Sequence, residues 1–447
     1  MGVAARRVRR VAFHTFGCKL NQFETEALAS SCLAHGFSVV TADQEADAYV
    51  INTCTVTSRA DHKARSLIRR IARQHPKAPL VVTGCSAQTE AEALSALAAN
   101  IVVVPQSEKS RLLELPMALA ETIEAGEAQH GRLLAALQGH HPADPFALTV
   151  TASAFHTRAF LKIQDGCDCR CAYCRVPLAR GRSVSLGIDE VLGRAAALDS
   201  QGRREIVLTG VNISAWRASG TTLPGLLVQL LRAAPRGRFR LTSIEPESIT
   251  PQLVEVLAEP RICPHFHIPV QSGSDTVLAR MRRRYLSAKV FDGVRLLREA
   301  RDDPFVAADI LVGFPGETVD DFARTREIVQ RLEFAALHVF PFSPRPGTAA
   351  ASMKPVIPER IRRERVRDLT VIAEELSASY ARRWTGREVE VVLEGRAGTR
   401  AHGVSGNYLK VVVEGAPREA AVPGRVVRAE ITRAGRSCSA RFLGFAD

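Results

Sequence analysis

Cys167, Cys171 and Cys174 stand at the spacing Cys-x3-Cys-x2-Cys in the stretch Ile-Gln-Asp-Gly-Cys-Asp-Cys-Arg-Cys-Ala-Tyr-Cys, with Tyr173 directly before the last thiol. Three thiolates on one short loop make an incomplete ligand set. Iron-sulfur clusters are held by Cys thiolates, usually four, so a cubane on three protein sulfurs keeps one iron open for another ligand. The competing chemistry is a zinc knuckle. Zinc sites of that kind pair Cys-x2-4-Cys sets and close a four-ligand shell, and no partner pair stands near this loop. A cluster is the better reading. Cys169 lies inside the loop but does not satisfy the spacing, so it is read as a bystander. Cys32, Cys263 and Cys438 lack ligand company, and a small buried hydrophobe is their default role.

A second trio is spread along the first hundred residues. Cys18, Cys54 and Cys85 occur in Phe-Gly-Cys-Lys, Asn-Thr-Cys-Thr and Thr-Gly-Cys-Ser, each two to four residues after a short apolar run. Those runs are Val11 to His14, Ala48 to Asn52 and Leu80 to Thr83, with a fourth at Ile101 to Val104 and an added strand at Phe37 to Val40. Amphipathic stretches separate them, a rhythm that predicts a parallel sheet covered by helices. All strands of such a sheet run the same way, so the loops after them gather at one edge, the usual ligand crevice. Three thiols remote in sequence would meet there. Gly17 and Gly84 allow tight turns and a close approach of backbone to a bulky group. Three ordinary buried cysteines are the alternative; the shared strand-end placement favours a second three-thiolate cluster, on Cys18, Cys54 and Cys85. Asn21 with Glu24 three residues later has the pattern of a capping box, which puts Glu26 to His35 on the first helix.

The rest of the chain supplies the elements that must position the Cys167 loop. Strand-like runs recur at Ala159 to Ile163, Glu205 to Thr209, Arg238 to Ser243, His265 to Pro269, Val306 to Val312 and Ala336 to Phe340, with helical patterns between most of them. Six such units match a partial βα barrel, in which chemistry sits on loops after the strand C-termini. The cysteine loop takes the first such position. Leu208-Thr209-Gly210-Val211-Asn212 leads out of the second strand, and Asp309 to Glu317 leads out of the fifth. Residues 359 to 383 read as a long arginine-rich helix. Val389 to Leu393, Tyr408 to Val413, Arg425 to Ile431 and Ala440 to Leu443 then predict a small β-barrel. The fold class is therefore α/β: an N-terminal parallel sheet, a central partial (βα)6 barrel and a C-terminal β-barrel. The expected domains are residues 1–125, a linker at 126–152, 153–385 and 386–447. The linker follows a helix over Lys109 to Ala125 and carries His130, His140 and His141, to which no role is assigned.

Composition bounds the partners. The chain has 447 residues, a formal charge of +13 and ten cysteines. Such a length exceeds what one core usually organises. A basic surface attracts polyanions through phosphate contacts and counterion release, although an arginine-rich composition alone does not decide this. No apolar run reaches membrane-spanning length, and the basic first ten residues lead into His14, Cys18 and Lys19 instead of an apolar secretory core. A cytosolic protein is expected, where thiols stay reduced and point to metal or catalysis before disulfides. Between Gly386 and Asp447 ten Arg and Lys face seven acids, a mild excess compatible with RNA.

Taken together, Thr-Phe-Gly-Cys-Lys-Leu-Asn-Gln-Phe-Glu-Thr-Glu, Asn-Thr-Cys-Thr-Val, Val-Thr-Gly-Cys-Ser-Ala-Gln, the Cys167 loop, Gln271-Ser-Gly-Ser-Asp and Gly313-Phe-Pro-Gly-Glu resemble the radical S-adenosylmethionine (SAM) methylthiotransferases over nearly the whole chain. The resemblance implies an N-terminal domain with one cluster, a radical SAM barrel with another, and a C-terminal TRAM domain that handles RNA. Gly17-Cys18-Lys19-Leu20-Asn21-Gln22 and Ala179-Arg180-Gly181-Arg182 are similar to the enzymes acting on N6-threonylcarbamoyladenosine next to the anticodon of tRNA. Leu178, where Tyr is common, and Cys169 depart from that pattern.

The implied cofactors are two [4Fe-4S] clusters and SAM, which would chelate the open iron and serve as radical source and methyl donor. Attack would fall on carbon 2 of the adenine. The implied partners are tRNA, an electron donor such as flavodoxin or ferredoxin, and a sulfur donor. Tyr173, Thr209, Gly210, Asn212, Ser243, Glu245 and Gln271 are the expected SAM contacts. Modification of a ribosomal-protein aspartate or of isopentenyladenosine stays open within the family. Outside it stand a radical SAM enzyme acting on a peptide and an iron-sulfur protein that binds RNA without modifying it.

Overall fold

The computed structural model describes residues 9–55, 57–124, 133, 137, 144–150, 155, 157–398, 400–420 and 422–446. The first eight residues, Ala125 and His130, His140 and His141 lie outside them. The chain forms two compact units. One comprises Met1–His156, Asp165–Asp168 and Cys174–Ser183; the other comprises Thr157–Gln164, Cys169–Tyr173 and Val184–Asp447.

The first unit is built on five strands: β1 (Arg10–Thr15), β2 (Ser38–Thr41), β3 (Ala48–Thr53), β4 (Leu80–Gly84) and β5 (Ile101–Val103). They lie parallel in the order β2-β1-β3-β4-β5. Every residue of β3 and β4 is buried. Strands covered on both faces have no reason to alternate polar with apolar, which is why they read as continuous apolar runs. Helix α1 (Lys19–Ala34) follows β1, α2 (Ser58–Gln74) follows β3, and the short α3 (Cys85–Thr89) follows β4. Tyr49, Ile51, Ile68, Ile71, Leu80 and Val82 form one core across sheet and helix.

Two expectations change here. Asn21 and Glu24 do not start α1: the helix begins at Lys19 with Cys18 as its cap residue, and both side chains sit buried inside it. Their polar atoms serve long-range partners, a demand the local capping pattern does not reveal. The stretch from Lys109 is also not one α-helix. A 3-10 helix over Gln106–Glu114 leads into an α-helix over Leu115–Glu124.

The second unit opens with six parallel strands in two sheets of three. Ala159–Lys162, Glu205–Thr209 and Arg238–Leu241 form one sheet, and His265–Gln271, Phe305–Val312 and Ala336–Pro341 the other. Parallel bridges between Phe239 and Ile262 and between Ser243 and His267 join the halves. Helices connect successive strands, giving the expected partial barrel. The helix Glu359–Arg383 leads to a closed five-stranded β-barrel. One of its strands, Arg400–Ser405, was not expected, because its sequence Arg-Ala-His-Gly-Val-Ser carries few β-branched residues. Pairing with two neighbours makes it a strand regardless of its weak propensity.

The small barrel shares its core with the rest of this unit. Val391, Leu393, Val411, Val413 and Ile431 pack in one cluster with Phe305, Tyr380 and Trp384. A buried ionic knot adds to it. Arg240 donates to Glu205 at 2.7 Å and to the carbonyls of Gly406 and Ser405 at 3.0 and 3.1 Å. Arg238 bonds Glu205 at 2.9 Å and Glu390 at 3.1 Å. Each buried charge is thereby matched, the condition under which burial of an ion is tolerated.

Candidate functional site

The first unit brings its three cysteines to one sheet edge by strand register. Thr15 pairs with Asn52, and Thr53 pairs with Gly84, so the chain leaves β1, β3 and β4 side by side. Cys54 and Cys85 each come directly after their strands. Gly17 adopts φ +105°, and a Cβ there would lie 2.8 Å from Sγ of Cys54. Gly84 adopts φ +98° and presses on the Thr53 backbone, where a Cβ has no room. Both glycines are required by the close approach of these turns to Cys54 and to the Thr53 backbone. Cys54 and Cys85 are buried, while Cys18 is exposed. Burial pushes the Cys85 thiol up, and Arg180 and Lys109 pull it back toward the thiolate. Cluster formation removes such a proton outright.

Beneath the trio lies a network of charges that the sequence does not announce. Arg180, 2% exposed, donates to Glu24 at 2.8 Å, to Asp165 at 3.0 Å and to Asn21 at 2.7 Å. Lys109 donates to the same Glu24 and to Asn52 at 3.1 Å. Asn21 in turn gives its amide hydrogens to the carbonyls of Phe16 and Thr53 at 2.8 and 2.9 Å. Two cations and two carboxylates cancel in a buried pocket, and the amides fix the turns that carry Cys18 and Cys54. Arg175 adds bonds to Glu90 at 2.7 Å and to Thr55 at 2.9 Å. Asn21, Glu24, Asn52, Asp165 and Arg180 stand inside motifs noted for other reasons; Lys109 left no such hint.

The cysteine loop is anchored within each unit. In the first, the Cys167 N–H donates to the Gly181 carbonyl at 3.1 Å, and the Val176 N–H points at Cys174 Sγ at 3.4 Å. In the second, the Ala172 N–H donates to the Met281 carbonyl at 2.9 Å, and its carbonyl accepts from Ala350 at 2.8 Å. Arg283 Nη1 lies 3.2 Å from Sγ of Cys171. Cys169 Sγ accepts a long contact of 3.9 Å from Asn212 Nδ2. Cys32, Cys263 and Cys438 are buried; burial pushes the Cys32 thiol up to about 12.

The structure places the other expected residues around the C-terminal ends of the barrel strands. Thr209 ends one strand, with Gly210 and Asn212 just beyond. A Cβ on Gly210 would lie 2.9 Å from the Gln164 carbonyl oxygen, so glycine is needed there. Ser243 Oγ lies 3.1 Å from His267 Nδ1. Glu245 pairs with Arg283, and burial pushes its carboxyl up to about 7. Gln271 closes its strand in the left-handed region at φ +64°, a costly conformation for a residue with a side chain and one that collects at functional sites. Tyr173 meets Phe314 edge-on with ring centres 6.5 Å apart. Buried Thr209 Oγ1 and Asn212 Oδ1 have no hydrogen-bond partner among the described residues. Orphaned polar atoms at a strand-end crevice fit a polar ligand such as SAM.

Comparison with known proteins agrees with this architecture. Residues 10–105 match the model described as uncharacterized protein family UPF0004, and residues 161–329 match the radical SAM superfamily. The threonylcarbamoyladenosine tRNA methylthiotransferase MtaB of Treponema pallidum is 40% identical, with 85% of this chain and 90% of that protein covered. The chain belongs to the radical SAM methylthiotransferase family. The Bacillus subtilis MtaB is 38% identical over 85% of the chain and 84% of its own length. A tRNA-2-methylthio-N(6)-dimethylallyladenosine synthase of Mycobacteroides abscessus is 33% identical over 86% and 76%. Among solved structures, the radical SAM methyltransferase TsrM of Kitasatospora setae shares the fold, at a TM-score of 0.55 and 17% identity over 77% of each chain. This chain is thus a radical SAM enzyme, and among its described residues no helix is long and apolar enough to cross a membrane.

Proposed function

We propose that the chain 2-methylthiolates N6-threonylcarbamoyladenosine beside the anticodon of tRNA, with SAM as radical source and methyl donor. The convergence of Cys18, Cys54 and Cys85 on one sheet edge carries this reading, because a radical SAM enzyme without sulfur to insert needs only the Cys167 loop. Cys167, Cys171 and Cys174 would hold one [4Fe-4S] cluster and Cys18, Cys54 and Cys85 the other. When bound, the first cluster would supply the electron and SAM the carbon radical able to take hydrogen from an unactivated C–H, and the second cluster would supply the sulfur to be inserted.

The protein's own share is positioning. Thr209, Gly210, Asn212, Ser243, Glu245, Gln271 and Tyr173 would surround SAM from the strand ends. The buried side chains of Arg180 and Lys109 hold charge balance behind the buried Cys85 thiol. Exposed Arg400, Lys410, Arg428, Arg433, Arg436 and Arg441 on the small barrel would meet phosphates, and the target base would leave its stack to reach the site. The choice of the threonylcarbamoyl substrate rests on the Gly-Cys-Lys-Leu-Asn-Gln motif and on relatives that bear that name.

Mass spectrometry of tRNA nucleosides from a strain lacking the gene tests it. The 2-methylthio form of threonylcarbamoyladenosine should vanish and return on complementation. Its persistence, with loss of the 2-methylthio isopentenyl nucleoside instead, would move the chain to the substrate named for the Mycobacteroides abscessus relative.

A further inference from the structure

Three neighbouring strands of the partial barrel present His267, Asp309 and His338 side by side. Asp309 Oδ1 lies 2.8 Å from His267 Nε2 and 3.1 Å from His338 Nδ1, and Ser243 Oγ lies 3.1 Å from His267 Nδ1. Burial alone would raise the Asp309 carboxyl; the two ring N–H groups outweigh it and hold the group at about 2. An ionised carboxylate only accepts, so both ring nitrogens facing it carry hydrogen. In the neutral rings the remaining lone pairs belong to His267 Nδ1, which Ser243 occupies, and to His338 Nε2. The His338 side chain is 54% exposed, against 22% for Asp309 and 17% for His267. The cluster therefore fixes one tautomer and offers one outward acceptor.

Its face is the one that leads to the cysteine loop. Along Phe305–Val312, Ala308, Ile310 and Val312 are fully buried, while Asp309 and Leu311 point to the other, partly open side. Leu311 packs, together with Tyr173 of the cysteine loop, against Ala172, Phe314 and Phe342. Two residues span about 7 Å of strand, so the polar trio sits one repeat below the segment that carries Cys171. Inward positions of such barrels are ordinarily filled by branched apolar side chains. A preoriented polar group there suits a polar ligand.

We propose that this trio is a substrate subsite that reads a hydrogen-bond donor on the N6 substituent of the target adenosine, with His338 Nε2 as the acceptor. The inference rests on the threonylcarbamoyl reading above. Beyond the N6–H that both nucleosides share, that substituent adds a threonyl N–H and a hydroxyl, whereas a dimethylallyl substituent adds no donor. The negative Asp309 makes the trio a poor place for the substituent's carboxylate, which must lie elsewhere. A site built around such a bond rejects the analogue that lacks the donor far better than an apolar pocket sorts by size.

The test uses the reconstituted full-length enzyme, an anticodon stem-loop bearing threonylcarbamoyladenosine, and the variants His338→Leu and His338→Gln. His338→Leu should lower kcat/KM about tenfold, mostly through KM, the worth of one hydrogen bond. His338→Gln, whose amide oxygen can accept, should recover most of it. Formation of 5′-deoxyadenosine without RNA is measured beside both. A His338→Leu enzyme within twofold of wild type on the RNA overturns the subsite, and so does loss of SAM cleavage without RNA, which would place the trio at SAM. Wild-type enzyme inert on this RNA overturns the substrate reading itself, and the subsite with it.

Discussion

Arg283 Nη1 lies 3.2 Å from Sγ of Cys171, and the other arm of the same guanidinium pairs with Glu245. Tyr285 lies against the guanidinium, 4.8 Å from ring centre to carbon, and gives its hydroxyl to the Pro269 carbonyl at 2.6 Å. The cation is thus fixed beside the Cys171 thiol, a proposed cluster ligand. Hydrogen bonds and positive charge at a cluster sulfur favour the reduced, more negative state. Replacing Arg283 by Leu should therefore make the barrel cluster harder to reduce. A redox titration followed by electron paramagnetic resonance reads this as a midpoint shifted to more negative potential; an unmoved midpoint would detach Arg283 from the cluster.

The two cysteine sets should separate two halves of the reaction. Cys171→Ala should abolish SAM cleavage altogether. Cys54→Ala should leave 5′-deoxyadenosine formation and remove thiolation of the RNA. Chromatography of both products checks this, and unchanged thiolation in Cys54→Ala would rule out a sulfur-supplying role for the sheet-edge trio.

Gly84 tests the geometry that gathers that trio. Its backbone is left-handed at φ +98°, and an added Cβ would collide with Thr53. Gly84→Ala should cost about 1–3 kcal/mol in strain and lower the iron bound at Cys18, Cys54 and Cys85. Gly36, also left-handed but with open space around it, is the control: Gly36→Ala should bind iron normally. Iron analysis and thermal melting distinguish the two.

The knot between Glu205 and Arg240 carries a pH signature. Burial would raise the Glu205 carboxyl, but Arg240 and Arg238 outweigh it and hold it at about 2, below its ordinary 4.5. A depressed carboxyl stabilises the fold above its ordinary value and loses that contribution as pH falls through the window from 4.5 to about 2. Melting temperature should fall steeply across that window. Arg240→Met, which leaves Glu205 with Arg238 as its remaining hydrogen-bonded cation, should cost about 1–3 kcal/mol at neutral pH and weaken the acid dependence. A melting curve insensitive to this change would assign the acid response to other carboxylates.

The cysteine positions and the strand rhythm were legible in the chain because both are local. Metal-ligand spacing is counted along one loop, and an apolar run bounded by glycine marks a strand and the turn after it. From these, parallel topology alone put Cys18, Cys54 and Cys85 on one edge. Local pattern misled where a side chain serves a distant partner. Asn21 and Glu24 look like a helix start, yet their partners include Thr53 and Lys109. The strand Arg400–Ser405 has weak propensity and exists because its neighbours pair with it.

Only the tertiary structure decided the charge network behind Cys85, the guanidinium on Cys171 and the trio of His267, Asp309 and His338. His267 and Asp309 are 42 residues apart and Asp309 and His338 are 29 apart. Nothing local marks them as a set. Pairing of parallel strands in one register brings the three side chains onto one face, and a shift of one residue would turn Asp309 to the opposite side.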